Sequence, residues 1–260
     1  MSAPLPPISI FSIPILPVPA DRCRSLCDQW LNELPAGRQI VTLNPEMLVA
    51  AKTNPHLHAV LSHTDLKTID GIGLALAAFL KSGRLFPRLT GSDVMTILLE
   101  KANKKHQRVL LVGGKGDVSL RAMNRLKITY PTISFDYNLA TQVNWLNDHW
   151  ELDVGFLQDI RRFAPDILLV SLSIGKQETW IYDHLPLLPS VKVAVGIGGV
   201  FAFIAGDVPR APLGWQRWGI EWFWRLIQEP RRIKRILTAV FVFPVLVVWD
   251  RIRTTKRTTL

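Results

Sequence analysis

The sequence predicts an α/β fold: a Rossmann-like, mostly parallel sheet with helices on both faces, followed by a C-terminal helical, membrane-associating appendage. Three observations predict it. Short apolar runs rich in Val, Ile and Leu lack polar alternation, as strands covered on both faces do. Helical patterns fall between those runs, the alternation of a chain that builds a sheet through crossover helices. From about Pro209 the composition turns basic and Trp-rich. The expected boundaries are therefore 1–20 for a Pro-rich N-terminal arm, 21–208 for the α/β core and 209–260 for the appendage.

The elements follow in order. The first twenty residues are apolar but studded with proline and lack a basic start, so an extended strand or arm is expected and a signal peptide is not. Asp21 to Leu34 reads as a helix broken by Pro35-Ala36-Gly37, and Arg38 to Leu43 as a strand. Pro45 to Lys52 reads as a helix capped by Asn44, with proline at its first position. Ala59 to Ser62 is expected to be a second short strand, Gly71 to Lys81 a helix ended by Gly83, and Asp93 to Lys105 a helix with one polar face. Arg108 to Val112 is the clearest strand, followed by Gly113-Gly114 and a helix from Asp117 to Thr129. Asp166 to Leu172 and Val191 to Gly196 complete the expected strands. Ligands of such sheets bind beyond the carboxyl ends of the strands. That rule singles out Asn44, Thr64-Asp65, Gly113-Gly114-Lys115, Ser173 to Glu178 and Gly196 to Phe203.

Composition narrows the function classes. The 260 residues are 48% hydrophobic with a formal net charge of +10, enough for a real core and a preference for polyanions or anionic surfaces. The two cysteines, Cys23 and Cys27, are four apart and form no C-x-x-C, so a zinc ribbon or disulfide scaffold is not expected and a reduced, cytosolic chain is. His56, His58 and His63 form no metal-ligand pattern, and no G-x-S-x-G occurs. No run of about 20 apolar residues is present to span a bilayer. The last fifth carries Trp215, Trp218, Trp222, Trp224 and Trp249 among arginines, around the apolar stretch Ile236 to Trp249. That mixture suits a segment lying at a membrane interface, with a helix packed on the core as the alternative. Because the cations sit beside tryptophans rather than along a polar face, nucleic acid is not an expected partner.

Several motifs have two readings. Gly113-Gly114-Lys115-Gly116 could cradle a phosphate on backbone N–H groups or form a plain tight turn; it is no Walker A loop. Asp70, before Gly71-Ile72-Gly73, is either a helix cap or a general base. Arg88 to Asp93 is either an anion site or a helix start, with Ser92 or Asp93 as cap. Lys176-Gln177-Glu178-x-Trp180 follows a buried strand and is placed to touch ligand, although Glu178 could serve only the helix start.

Taken in order, these motifs resemble the WecG/TagA/CpsF glycosyltransferases, family 26. The matching stretches are Thr42-x-Asn44-x-Glu46-x-Leu48, Asp70-Gly71-x-Gly73, Arg88-x-Thr90-Gly91-x-Asp93, Val112-Gly113-Gly114, Lys176-Gln177-Glu178-x-Trp180, Gly196-x-Gly198-Gly199-x-Phe201 and Gly219-Ile220-Glu221-Trp222-x-x-Arg225. The likeness runs from about Ile40 to Arg235. It implies an inverting transferase without metal or other cofactor. Such an enzyme moves a sugar, N-acetylmannosamine among the candidates, from a UDP-sugar to a polyprenyl-diphosphate-linked sugar in teichoic acid or cell-surface polysaccharide synthesis. It also implies a cytoplasmic protein, peripheral on the inner face of the cell membrane, and leaves a homo-oligomer open.

By the same resemblance Asp70 is the base and Arg88 contacts the donor diphosphate or orients the acceptor. Thr42, Asn44, Gly113, Gly114, Gln177 and Gly198 line the pocket, and Arg225, Arg232 and Arg235 neutralise the departing diphosphate. The sequence departs from the family in two places. Ser173-Ile174-Gly175 stands where Gly-x-Pro is usual, and Ala202 where an aspartate is usual. A non-catalytic nucleotide-sugar or lipid-binding member is the competing reading.

Overall fold

The computed structural model describes residues 7–16, 18–33, 37–138, 143–146, 149–152, 154–209, 211–212, 214–215, 221–228, 230 and 233–258, with the backbone alone for 143–146, 149, 151–152, 154, 221, 225 and 253–258. Six parallel strands form the central sheet: β3 (Arg38–Leu43), β4 (Leu66–Ile69), β5 (Arg108–Gly113), β6 (Ser134–Asn138), β9 (Ile167–Ser171) and β10 (Val193–Gly196), in the order β4-β3-β10-β9-β5-β6. The chain feeds from β3 to one edge and from β5 to the other, then returns to the centre with β9 and β10. That reversal opens a crevice at the carboxyl ends of the central strands.

Both faces of the sheet are covered, as the unalternating strands require. Val109 and Leu111 of β5, Ile167 and Leu169 of β9, and Val193 and Val195 of β10 point to one core. That core is covered by α1 (Ala20–Asn32), α5 (Gly91–Lys104), α6 (Val118–Thr129) and α9 (Val200–Ala205). The neighbouring side chains Leu110, Val112, Leu168, Val170 and Ala194 point the other way, under α7 (Val154–Phe163) and α8 (Lys176–His184). On that second face, at the β3–β4 edge, Val41, Leu43 and Ile69 meet α2 (Pro45–Ala51), α3 (Pro55–His63) and α4 (Ile72–Ser82). A separate antiparallel pair, β7 (Val143–Leu146) and β8 (His149–Leu152), precedes α7.

One expected strand is a helix. Ala59 to Ser62 lies inside α3, where Leu57, Val60 and Leu61 take the buried face at helical spacing. The start signal matches that of α2: Asn54 accepts a hydrogen bond from the Leu57 N–H at 2.9 Å, and Pro55 takes the first position. The second strand is instead Leu66–Ile69. Thr64 and Asp65 consequently precede a strand rather than follow one. Asp65 ties the amino-terminal edge of the sheet, accepting from the Arg38 guanidinium at 2.9 Å and the Gln39 N–H at 2.9 Å. Neither residue belongs to the ligand-facing rim.

The N-terminal arm is a hairpin. β1 (Ile8–Ile10) pairs with β2 (Ile13–Ile15) around Phe11 and Ser12, whose φ angles of 53° and 64° are the left-handed values of a two-residue turn. A bulky residue holds such a backbone only when its surroundings fix it. Here the Lys52 ammonium lies 4.6 Å from the Phe11 ring centroid, His58 Nε2 lies 3.1 Å from its carbonyl oxygen, and Phe243 meets the ring edge-on at 6.0 Å.

Phe243 belongs to the tail, which runs through α10 (Glu221–Gln228), α11 (Ile233–Leu237), a π-helical turn (Thr238–Val242) and α12 (Phe243–Thr258). Phe243 and Val247 are buried in one cluster with the hairpin and α2 to α4. The tail therefore packs one face on the core while its other face stays exposed. Among the described residues no helix is long and apolar enough to cross a membrane.

Candidate active site

The rim of the sheet is assembled strand end by strand end. β3 ends at Leu43, and Asn44 caps α2 by accepting from the Met47 N–H at 2.9 Å. β4 ends at Ile69, and the next N–H, that of Asp70, donates to the Leu43 carbonyl at 2.7 Å. This bond sets Asp70 beside Asn44. The cap position of α4 is Gly71, with φ 86°, so Asp70 is not the helix cap. The chain then returns along the edge strand: the Leu89 N–H donates to the Ile69 carbonyl at 2.8 Å, and the Thr68 hydroxyl to the Leu89 carbonyl at 2.8 Å. These bonds bring the half-buried Arg88 to the same end of the sheet.

Thr90 starts α5 through a capping box. Its hydroxyl accepts from the Asp93 N–H at 3.3 Å, while the Asp93 carboxylate accepts from the Thr90 N–H at 2.9 Å and hydroxyl at 2.7 Å. The Asp93 carboxylate is thereby committed to the helix start. Thr90→Ala is expected to cost about 1 kcal/mol, a fall in Tm of about 2–4 °C by calorimetry. A side chain at the next residue, Gly91, would stand 3.5 Å from the Ile197 backbone and 3.6 Å from Thr42 Oγ1, so the helix start closes down on the ends of β10 and β3.

The central strands are stitched in turn. Gly113 has φ 94°, and a Cβ there would lie 2.4 Å from the Ser171 carbonyl oxygen, so only glycine fits. The Gly114 N–H donates to that same carbonyl at 3.0 Å, and the Ser171 hydroxyl donates to the Gly198 carbonyl at 2.5 Å. In the first turn of α6, beside Gly114, the Ser119 hydroxyl is buried and has no hydrogen-bond partner among the described residues.

Beneath the Gly196–Gly199 turn lies a polar relay. The Gly175 N–H donates to Glu178 Oε2 at 2.8 Å, the Gln177 amide donates to Glu178 Oε1 at 2.7 Å, and Gln177 Oε1 accepts from the Gly198 N–H at 3.0 Å. Gln177 and Glu178 are only 3% and 1% exposed. Burial pushes the Glu178 carboxyl up to about 7, against the opposing pull of the Gln177 amide and the Gly175 N–H. Gly175 adopts φ 80°, which a proline at this position could not reach. Ala202 is half-buried in α9 against the core.

Thr42, Asn44, Asp70, Arg88, Gly113, Gly114 and Gly198 thus lie along one rim. Gln177 lies under that rim, with both ends of its amide engaged by the fold. Arg235 reaches the rim from the tail: its Nε donates to Glu46 Oε2 at 2.6 Å, in the first turn of α2. Arg232 and the Arg225 side chain lie outside the described residues. Sequence reasoning missed Ser171, whose only signal was its place at a strand end, and the ion-pair role of Glu46.

The model of the "Glycosyl transferase WecG/TagA/CpsF family" matches residues 8–257. The chain belongs to this family. The N-acetylglucosaminyldiphosphoundecaprenol N-acetyl-beta-D-mannosaminyltransferase of Bacillus subtilis (strain 168) is 36% identical over 203 residues, 78% of this chain and 76% of that protein. The Staphylococcus aureus (strain MRSA252) protein of the same name is 29% identical over 221 residues, 84% of this chain and 83% of its own length. As a WecG/TagA/CpsF transferase, the chain must hold a donor, an acceptor hydroxyl and a departing anion. It offers a half-buried carboxylate, two glycine turns at strand ends and a tail-borne guanidinium.

Proposed function

We propose that this transferase moves N-acetylmannosamine, with inversion, from a UDP-sugar to N-acetylglucosamine carried on a polyprenyl diphosphate, in wall teichoic acid or cell-surface polysaccharide assembly. One observation carries the reading. Asp70, bound through its N–H to the end of β3, stands on the rim beside Asn44 and Arg88, in a chain whose relatives are named for this reaction.

The chemistry needs one base and a sink for charge. Asp70 accepts the proton of the acceptor hydroxyl as that oxygen attacks the anomeric carbon, and a single displacement inverts the centre. The nucleotide diphosphate leaves with the bonding pair. In this reading the glycine turn after β5 and the start of α6 receive its phosphates. Arg88 lies at the same rim, and Arg235 arrives on the tail; guanidinium groups suit a phosphate because they offer several donors in one plane. Glu46 holds Arg235 in place before the anion develops. Thr42 and Asn44 border the sugar pocket, and Gln177 shapes it by fixing the Gly198 N–H. The tail's tryptophans and arginines keep the enzyme peripheral on the cytoplasmic face of the membrane, where a lipid-linked acceptor is presented.

The purified chain, given UDP-N-acetylmannosamine and a prenyl-diphosphate-linked N-acetylglucosamine, is expected to release UDP and form the disaccharide lipid. Neither product with this pair would refute the substrate assignment. Nucleotide binding without transfer to any acceptor would favour the non-catalytic binder.

A further inference from the structure

The helix that follows Asp70 is apolar on every side. α4 reads IGLALAAFLKS, with polar side chains only at Lys81 and Ser82. A surface helix of a globular protein normally turns a polar stripe to water. Here Leu74, Ala75, Ala77 and Ala78 face the core, while Ile72, Leu76, Phe79 and Leu80, spaced as one helical face, are exposed. Leu76 and Leu80 are 53% and 48% exposed.

α4 and the tail lie side by side and run the same way. At their starts, a side chain on Gly73 would stand 3.6 Å from the Ala239 carbonyl; toward their ends, Lys81 pairs with Asp250. In α12, Phe243 and Val247 point to the core, and Val245, Val248 and Ile252, on the opposite side of the helix, are exposed. Both exposed stripes thus turn away from one shared core and form a single apolar surface. One end of this surface adjoins Asp70. The other end carries Arg84 and Arg251 beside the Lys81–Asp250 pair, and Arg253, Lys256 and Arg257 follow in the sequence.

We infer that this surface, half of it built by α4 of the catalytic core, is the seat of the enzyme on an anionic phospholipid bilayer, and that it delivers the acceptor's diphosphate to Asp70. Charge selects the occupant. A second copy docked through the same face would bring like-charged ends of a +10 chain together, whereas anionic headgroups neutralise them. The tail is then one of two anchors, and the core itself holds its rim against the membrane. The inference rests on the lipid-linked acceptor proposed above, but it is tested without that reaction.

The full chain and a Leu76→Glu/Leu80→Glu variant are sedimented with vesicles of equal parts phosphatidylglycerol and phosphatidylcholine. The substituted side chains are exposed, so folding by circular dichroism is expected to match the parent. The partition coefficient is expected to fall about 10-fold or more, since two apolar side chains leave the interface and two anions enter it. A Leu76→Ser/Leu80→Ser variant is expected to fall by less, in the same direction. Transfer to a water-soluble short-prenyl acceptor stays within about twofold of the parent, because neither residue touches the rim. Vesicle binding equal to the parent's in both variants would overturn the inference. So would a parent dimer that these variants dissociate while still binding vesicles. Absence of transfer by the parent, with the vesicle result intact, would count against the proposed reaction alone.

Discussion

Asp70→Asn is expected to lower kcat by about 100-fold or more while leaving the chain folded. The side chains have the same shape, but an amide cannot accept the proton of the attacking hydroxyl. The cap position of α4 belongs to Gly71 and the bond between β4 and β3 uses the Asp70 backbone N–H, so neither depends on the carboxylate's charge. A Tm within a few degrees of the parent is the first control. The second is KM: a group that acts on the proton in flight contributes mainly to the transition state, so KM should move less than kcat. No other described rim carboxylate is placed to substitute. Glu46 is paired with Arg235, Asp93 sits in the capping box of α5, and Glu178 is buried beneath the rim. Undiminished turnover by Asp70→Asn would remove Asp70 from the role and with it the single-carboxylate mechanism.

The legibility of this molecule followed the range of its interactions. β3 and α2 were readable because their signals are local: an apolar run, then Asn44 and Pro45 in the cap and first positions. The same two residue types at Asn54 and Pro55 announce α3, yet the apolar side chains that follow read as a strand. Four residues of either period look alike, and the cap was the better evidence. That slip displaced Thr64 and Asp65 to the wrong edge of the sheet. The motif order still placed Asp70, Thr42, Asn44 and the glycine turns on one rim, because strand ends in a parallel sheet converge wherever the strands do.

What the sequence withheld is long-range. Arg235 and Glu46 are 189 residues apart, and Gln177 of α8 and Gly198 of the turn after β10 are 21 apart. The hairpin's Phe11 meets Phe243 across nearly the whole chain. The exposed stripe of α4 was invisible for another reason: a helix apolar all round reads as buried until its neighbours are known.

Glu178→Gln should be the most damaging isosteric change in the core of the site, and its cost should depend on pH in an unusual direction. Both Glu178 oxygens accept, one from the Gly175 N–H and one from the Gln177 amide. A protonated carboxyl still offers a lone pair on each oxygen. A glutamine amide does not: its NH2 must face one of the two donors, in a place without water. Leaving a buried donor unsatisfied costs about 1–3 kcal/mol, a fall in Tm of about 5–10 °C at the upper part of that range.

Burial raises the Glu178 carboxyl from 4.5 to about 7. Between those values the folded chain keeps a proton that the unfolded chain releases. The stability this group confers is therefore fully present below about pH 4.5, declines as pH rises toward 7 and is gone above it, a change of about 3 kcal/mol by linkage. Glutamine has no such titration. Thermal unfolding of parent and variant across pH 5 to 8 should show the largest gap at pH 5 and a narrowing gap toward pH 8. A gap that widens with pH would mean the carboxylate is ionised in the fold and held by its two donors, reversing the balance between burial and hydrogen bonding beneath the Gly198 turn. In either case the variant loosens the Gln177 grip on that turn, so KM for the nucleotide-sugar should rise while Asp70, on a different strand end, keeps its chemistry.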